Sequence, residues 1–145
     1  MYLESTRKVV TERAGNAGCH VERIHKVYTY DDCCVKATLG RQLRINGKVC
    51  VLSTVRKQLQ GRRPGGYTRF AYSTLRRVDA IIFHVAVSDY PERTFVVPAT
   101  TLSEALFSDA PNRLEMVIFV PALEQHSSGS RINLWNYENA WGCLK

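Results

Sequence analysis

Between Cys33 and Val78 the chain holds neither aspartate nor glutamate. Eleven basic residues fall in the same stretch: Lys36, Arg41, Arg44, Lys48, Arg56, Lys57, Arg62, Arg63, Arg69, Arg76 and Arg77. The other nine basic residues face all thirteen acids, so the formal charge of +7 comes from this one tract. A segment so one-sided repels itself unless an anion is close, and polyphosphate is the commonest such anion. A solvated face kept for solubility is the competing reading, but it suits scattered charge better than a contiguous acid-free run.

Long apolar runs are lacking too. Ala80-Ile81-Ile82-Phe83 and Met116-Val117-Ile118-Phe119-Val120 are among the longest, far below the roughly 20 residues a membrane-spanning helix needs. Residues 1–8 contain no apolar h-region, so no secretory signal is expected. No Cys-x-x-Cys pair occurs among the five cysteines Cys19, Cys33, Cys34, Cys50 and Cys143. The number is odd, and the adjacent Cys33 and Cys34 would point to opposite faces of a strand. Disulfide scaffolds and zinc sites are therefore disfavoured, and reduced thiols in the cytoplasm are expected. With 145 residues, 45% apolar and 23% charged, the composition is that of one globular domain spanning residues 1–145, without linker or repeat.

What is present reads as alternating elements. Leu3, Thr6, Val10 and Ala14 share a helical face over residues 3–14, and Gly15-Asn16-Ala17-Gly18 stops it. Strand-like runs follow at 20–24, 33–38, 42–45 and 49–55. Asn46-Gly47 is a two-residue hairpin turn, since both central positions require positive φ. Residues 58–66, with Gly61, Arg62, Arg63, Pro64, Gly65 and Gly66, read as a mobile basic loop before a strand at 67–72. Residues 80–87, apolar on both faces, suit a central strand. A turn at 89–92, a strand at 94–97 stopped by Pro98, a capping box at Thr101-Leu102-Ser103-Glu104 and a strand at 116–120 come next. Leu134, Tyr137, Trp141 and Leu144 predict a closing helix.

Three stretches resemble the PD-(D/E)XK nuclease superfamily. Tyr30-Asp31-Asp32-Cys33-Cys34-Val35 is similar to the strand start that carries a metal-binding Asp. Arg44-Ile45-Asn46-Gly47-Lys48-Val49-Cys50-Val51-Leu52-Ser53-Thr54 resembles the hairpin that ends in an acid or Gln, one residue, then Lys. Val78-Asp79-Ala80-Ile81-Ile82-Phe83-His84-Val85 with Thr94-Phe95-Val96-Val97-Pro98, and Tyr137-Glu138-Asn139-Ala140-Trp141, resemble the later strand pair and helix of one branch. The resemblance covers roughly residues 1–144. It implies an α/β fold, a restriction-endonuclease-like mixed sheet flanked by helices, and double-stranded DNA as partner. Members of this fold often dimerise to cut two strands, which makes a homodimer an open expectation.

The chemistry of such a site needs hard carboxylate oxygens for Mg2+ and a Lys for the developing charge. Carried across, the helix acid is Glu4, the metal-binding Asp is Asp32, the second acid is Cys50 and the Lys is Leu52. Cys prefers softer metals and Leu carries no charge. The expectation is therefore a nucleic-acid-binding domain of nuclease fold without efficient cleavage. The alternative is a Mg2+-dependent endonuclease with a relocated site built from Asp32, Glu4 and Lys48 or Lys57. A third reading is a basic module for an acidic protein partner. Arg62, Arg63 and Arg69 are the foremost candidates for phosphate contact, followed by Arg56 and Lys57, with Arg76 and Arg77 in the same tract. Asp32 equally fits a turn former, Glu4 a helix-dipole partner and His84 a hydrogen-bonded core histidine.

Overall fold

The computed structural model describes residues 2–24, 42–55, 58–59, 63–64, 66–86, 91–107, 115–120 and 133–145. For 2–4, 58–59, 63–64, 66–74, 106 and 115–120 the description is of the backbone. Helix α1 spans Tyr2–Asn16. Thr6, Val10 and Ala14, four residues apart, form its buried stripe. Gly18 ends it at φ 84°, which lets the Cys19 amide reach back to the Ala14 carbonyl at 2.9 Å.

Strands β1 (Val21–Arg23), β2 (Gln42–Ile45) and β3 (Lys48–Val55) are antiparallel neighbours. The β2–β3 turn has Asn46 at φ 52° and Gly47 at φ 80°, as the dipeptide demands. The Asn46 side chain ties this turn into the molecule, accepting from the His20 amide at 2.8 Å and donating to the Leu144 carbonyl at 3.3 Å. Next come β4 (Gln58–Leu59), β5 (Arg63–Pro64), β6 (Gly66–Ala71), α2 (Tyr72–Arg77), β7 (Ala80–Val85), β8 (Arg93–Pro98), α3 (Ala99–Phe107) and β9 (Glu115–Val120). The main sheet has order β1-β2-β3-β7-β8, with β3 and β7 parallel and the other pairs antiparallel. It is the mixed α/β sheet flanked by helices that the sequence predicts.

Period-2 alternation sends side chains to two cores. On one face Cys50, Leu52, Ala80, Ile82 and Val96 pack against Val10 and Ala14 of α1. On the other, Val51, Val55, Ile81, Phe83, Phe95 and Val97 pack against Leu75 of α2 and Leu102 and Phe107 of α3. β6 pairs antiparallel with β9 in a separate two-stranded sheet.

Five details differ from the sequence expectations. Residues 58–66 are not simply a loop, because β4 and β5 pair as a short ribbon, Gln58 with Pro64 and Leu59 with Arg63. Tyr72 opens α2 instead of ending a strand. β7 ends at Val85 and lies one place from the middle, which β3 occupies; apolarity on both faces marks an interior strand, not which one. α3 starts at Ala99, directly after β8, so Thr101 is no cap; the Ala99 amide is satisfied by the Asp79 carbonyl at 2.9 Å instead. The closing helix is absent. Two 3-10 turns, Leu134–Tyr137 and Trp141–Leu144, are separated by Asn139 at φ 50°. Glu138 bridges to Phe95 there, and the Asn139 amide donates to the Thr94 carbonyl. The segment thus crosses the outer edge of β8, placing Leu134 in one core and Trp141 and Leu144 in the other. The run expected at 33–38, and residues 87–90 of the expected strand end and turn, lie outside the described residues.

Candidate nucleic-acid interface

β3 decides what the hairpin can do chemically. Cys50 and Leu52 sit two residues apart and both face α1, at 0% and 1% exposure. Burial, aided by the Asp79 charge, pushes the Cys50 thiol up to about 12. Metal binding needs the thiolate, so this sulfur stays a protonated packing group that donates weakly to the Lys48 carbonyl at 3.6 Å. Asp79, the nearby acid, is committed to the backbone. Its Oδ2 accepts from the Val49 amide at 2.8 Å, and its own amide donates to the Val49 carbonyl at 2.8 Å. The residues at this position do not fit Mg2+, which takes several oxygen ligands at once. Among the described residues no cluster of three or more His, Cys, Asp or Glu could hold a metal ion.

At the other end of the same face the chemistry changes. Register aligns Thr54, His84 and Thr94 across β3, β7 and β8, and α1 lays Thr6 and Arg13 over them. The Thr6 and Thr54 hydroxyls share a hydrogen bond of 2.6 Å. Arg13 Nη1 donates to Thr94 Oγ1 at 2.8 Å, and Nη2 donates to the Glu92 carbonyl at 3.4 Å. His84 Nε2 meets Glu92 Oε2 at 3.3 Å, and His84 Nδ1 meets Thr94 Oγ1 at 3.1 Å. A carboxylate only accepts, so Nε2 carries the proton, and in a neutral ring Nδ1 then accepts from Thr94. The result is a one-way chain from Arg13 through Thr94 and His84 to Glu92. Burial lowers the His84 pKa, Glu92 partly opposes this, and the Arg13 charge adds to the lowering. At 2% exposure His84 is the hydrogen-bonded core histidine its sequence position suggests, not an accessible base.

The candidate site residues distribute as follows. Glu4 lies in the first turn of α1. Lys48 opens β3, six residues before Thr54, which is roughly 20 Å along a strand. Since Thr6 of α1 touches Thr54, Lys48 and the start of α1 stand toward opposite ends of β3. Arg63 falls in β5, Arg69 in β6, and Arg76 and Arg77 are exposed in the last turn of α2. Asp32, Arg56, Lys57 and Arg62 lie outside the described residues. Sequence reasoning does not single out Thr6, Arg13, Thr54, Glu92 or Thr94. A signal exists for three of the row: Thr54, His84 and Thr94 each stand two residues from an apolar residue of one face, Leu52, Ile82 and Val96, at the same end of three strands.

The bacterial homing endonuclease I-Ssp6803I has a similar structure. The likeness covers 97% of this chain and 86% of that one, at 12% sequence identity and a TM-score of 0.54. The likeness is one of fold. No protein-family model and no curated protein sequence matches the chain. No described helix is long and apolar enough to cross a membrane.

Proposed function

We propose that this chain is a double-stranded-DNA-binding domain built on a degenerate PD-(D/E)XK nuclease frame, without efficient metal-dependent cleavage. The observation that carries this reading is the burial of Cys50 and Leu52 under α1. It stands in a chain with a nuclease-like fold whose positive charge is concentrated in the acid-free tract between Cys33 and Val78, which runs through β2 and β3 and beyond. The backbone of Arg63 lies in the ribbon of β4 and β5, and guanidinium groups such as those of Arg62 and Arg63 suit phosphate oxygens.

A DNA titration across salt concentrations, beside a cleavage assay with Mg2+ or Mn2+, tests the proposal. Binding should weaken steeply with salt. Arg62→Ala with Arg63→Ala should weaken it several-fold and flatten the salt slope by about one to two. Cleavage should stay near background, because a missing charge-stabilising group alone costs about 10²–10³ in rate. Robust cleavage by the unaltered protein, abolished by Asp32→Ala, would replace this reading with an endonuclease whose site has moved.

A further inference from the structure

β4 and β5 form a two-stranded sheet of their own. Among the described elements they pack chiefly on each other. In chain order they fall between β3, which lies in the main sheet, and β6, which is paired with β9. A short ribbon thus stands between two anchored strands. Its register divides the four paired residues between two faces: Leu59 and Arg63 share one, Gln58 and Pro64 the other. Arg63 is the one cation among the four. We propose that this ribbon lies in the major groove of duplex DNA, where Arg63, beside Leu59, reads a guanine. The inference rests on the DNA-binding reading above and deepens it, from attraction to phosphates to recognition of sequence.

Three arguments support it. The first is shape. The major groove of B-DNA, about 12 Å wide, admits a two-stranded ribbon, and paired strands lie about 4.8 Å apart. The main sheet, five strands abreast with a core on each face, cannot enter it. The second is charge. Residues 56–66 contain Arg56, Lys57, Arg62 and Arg63 and no acid, so the segment meets the negative groove without repulsion. The third is the chemistry of one face. The planar fork of an arginine matches O6 and N7 of guanine, and an apolar neighbour suits the methyl group of thymine. Gln58 and Pro64, on the other face, bring no charge.

The test starts with the unaltered chain and a pool of randomised DNA duplexes, from which it should enrich a sequence containing a fixed guanine. Arg63→Gln should relax the choice at that one position by roughly 5- to 150-fold, the worth of one bidentate base contact, and leave the other positions as they were. A second measurement needs no variant. Replacing that guanine by its deaza analogue, which lacks the N7 acceptor, should weaken binding by the unaltered chain. Uniform weakening by Arg63→Gln across all sequences makes Arg63 a phosphate contact, overturns the ribbon as a base reader and leaves the DNA-binding reading standing. A pool from which no sequence is enriched, or indifference to the deaza analogue, overturns it in the same way. An unaltered chain that binds no duplex overturns both readings.

Discussion

The sheet face beneath α1 has two ends of opposite chemistry. Toward the start of β3 and β7 it is closed by Cys50, Leu52, Ala80 and Ile82 under Val10 and Ala14, with Trp141 and Leu144 alongside. Toward the end of those strands Thr54, His84 and Thr94 lie beneath Thr6 and Arg13. The apolar end draws its stability from area removed from water and from close packing. The polar end gains little net energy per bond, but leaving one partner unmade is expensive. One end therefore punishes an added charge, and the other punishes a missing partner. The family-like motif positions happen to fall on the first.

The largest effect should come from Leu52→Lys. It puts a cation where exposure is 1% and the neighbours are apolar, so a loss of about 3–5 kcal/mol is expected, as for an uncompensated buried charge. Urea unfolding measures it, and a loss below about 1 kcal/mol would mean this end is open to water. Cys50→Glu with Leu52→Lys sharpens the comparison, since the two groups would face the same side of β3. If that double variant folds and cleaves DNA with Mg2+, positions 50 and 52 are the family's acid and lysine positions.

Much of this architecture is legible in residue order. Gln42–Ile45, Asn46-Gly47 and the strand through Val55 emerge from alternation and turn chemistry, because both are local. The C-terminal segment misleads for a physical reason. Leu134, Tyr137, Trp141 and Leu144 have helical spacing, yet the chain straddles the edge of β8 and feeds two cores, a tertiary demand that propensity does not contain. The capping box fails likewise: a carbonyl supplied by Asp79 removes the need for a cap. At the candidate site, the missing acid and Lys can be read directly. The hydrogen-bonded row of Thr54, His84 and Thr94 cannot, because it depends on strand register between β3, β7 and β8.

A smaller effect is expected at the polar end from Thr94→Val, which keeps the shape and deletes the hydroxyl between Arg13 and His84. Both neighbours lose a partner at once, so the expected cost is about 1–3 kcal/mol. Thr54→Val, which breaks only the hydrogen bond with Thr6, should cost less, about 0.5–1.5 kcal/mol. If the two variants are equal within error by urea unfolding, the chain through Thr94 adds nothing beyond an ordinary hydrogen bond.

The smallest effect is the pH response of the polar end. His84 has a folded pKa lowered from its ordinary value by burial and by Arg13, against the pull of Glu92. Below the unfolded histidine pKa, near 6.5, the unfolded chain takes up a proton that the folded chain resists. Folding stability should therefore be fully present above that pH and decline as pH falls toward the depressed folded value, where the loss levels off. Protonation would also make Nδ1 a donor facing a hydroxyl that already accepts from Arg13, so the one-way chain cannot persist. His84→Gln removes the titration. The stability difference between parent and variant, measured by urea unfolding between about pH 7.5 and 4.5, should shrink steadily as pH falls. A difference that stays constant would show that His84 keeps its proton equilibrium unchanged on folding. One that grows with acid would show that the pull of Glu92 outweighs burial and raises the folded pKa.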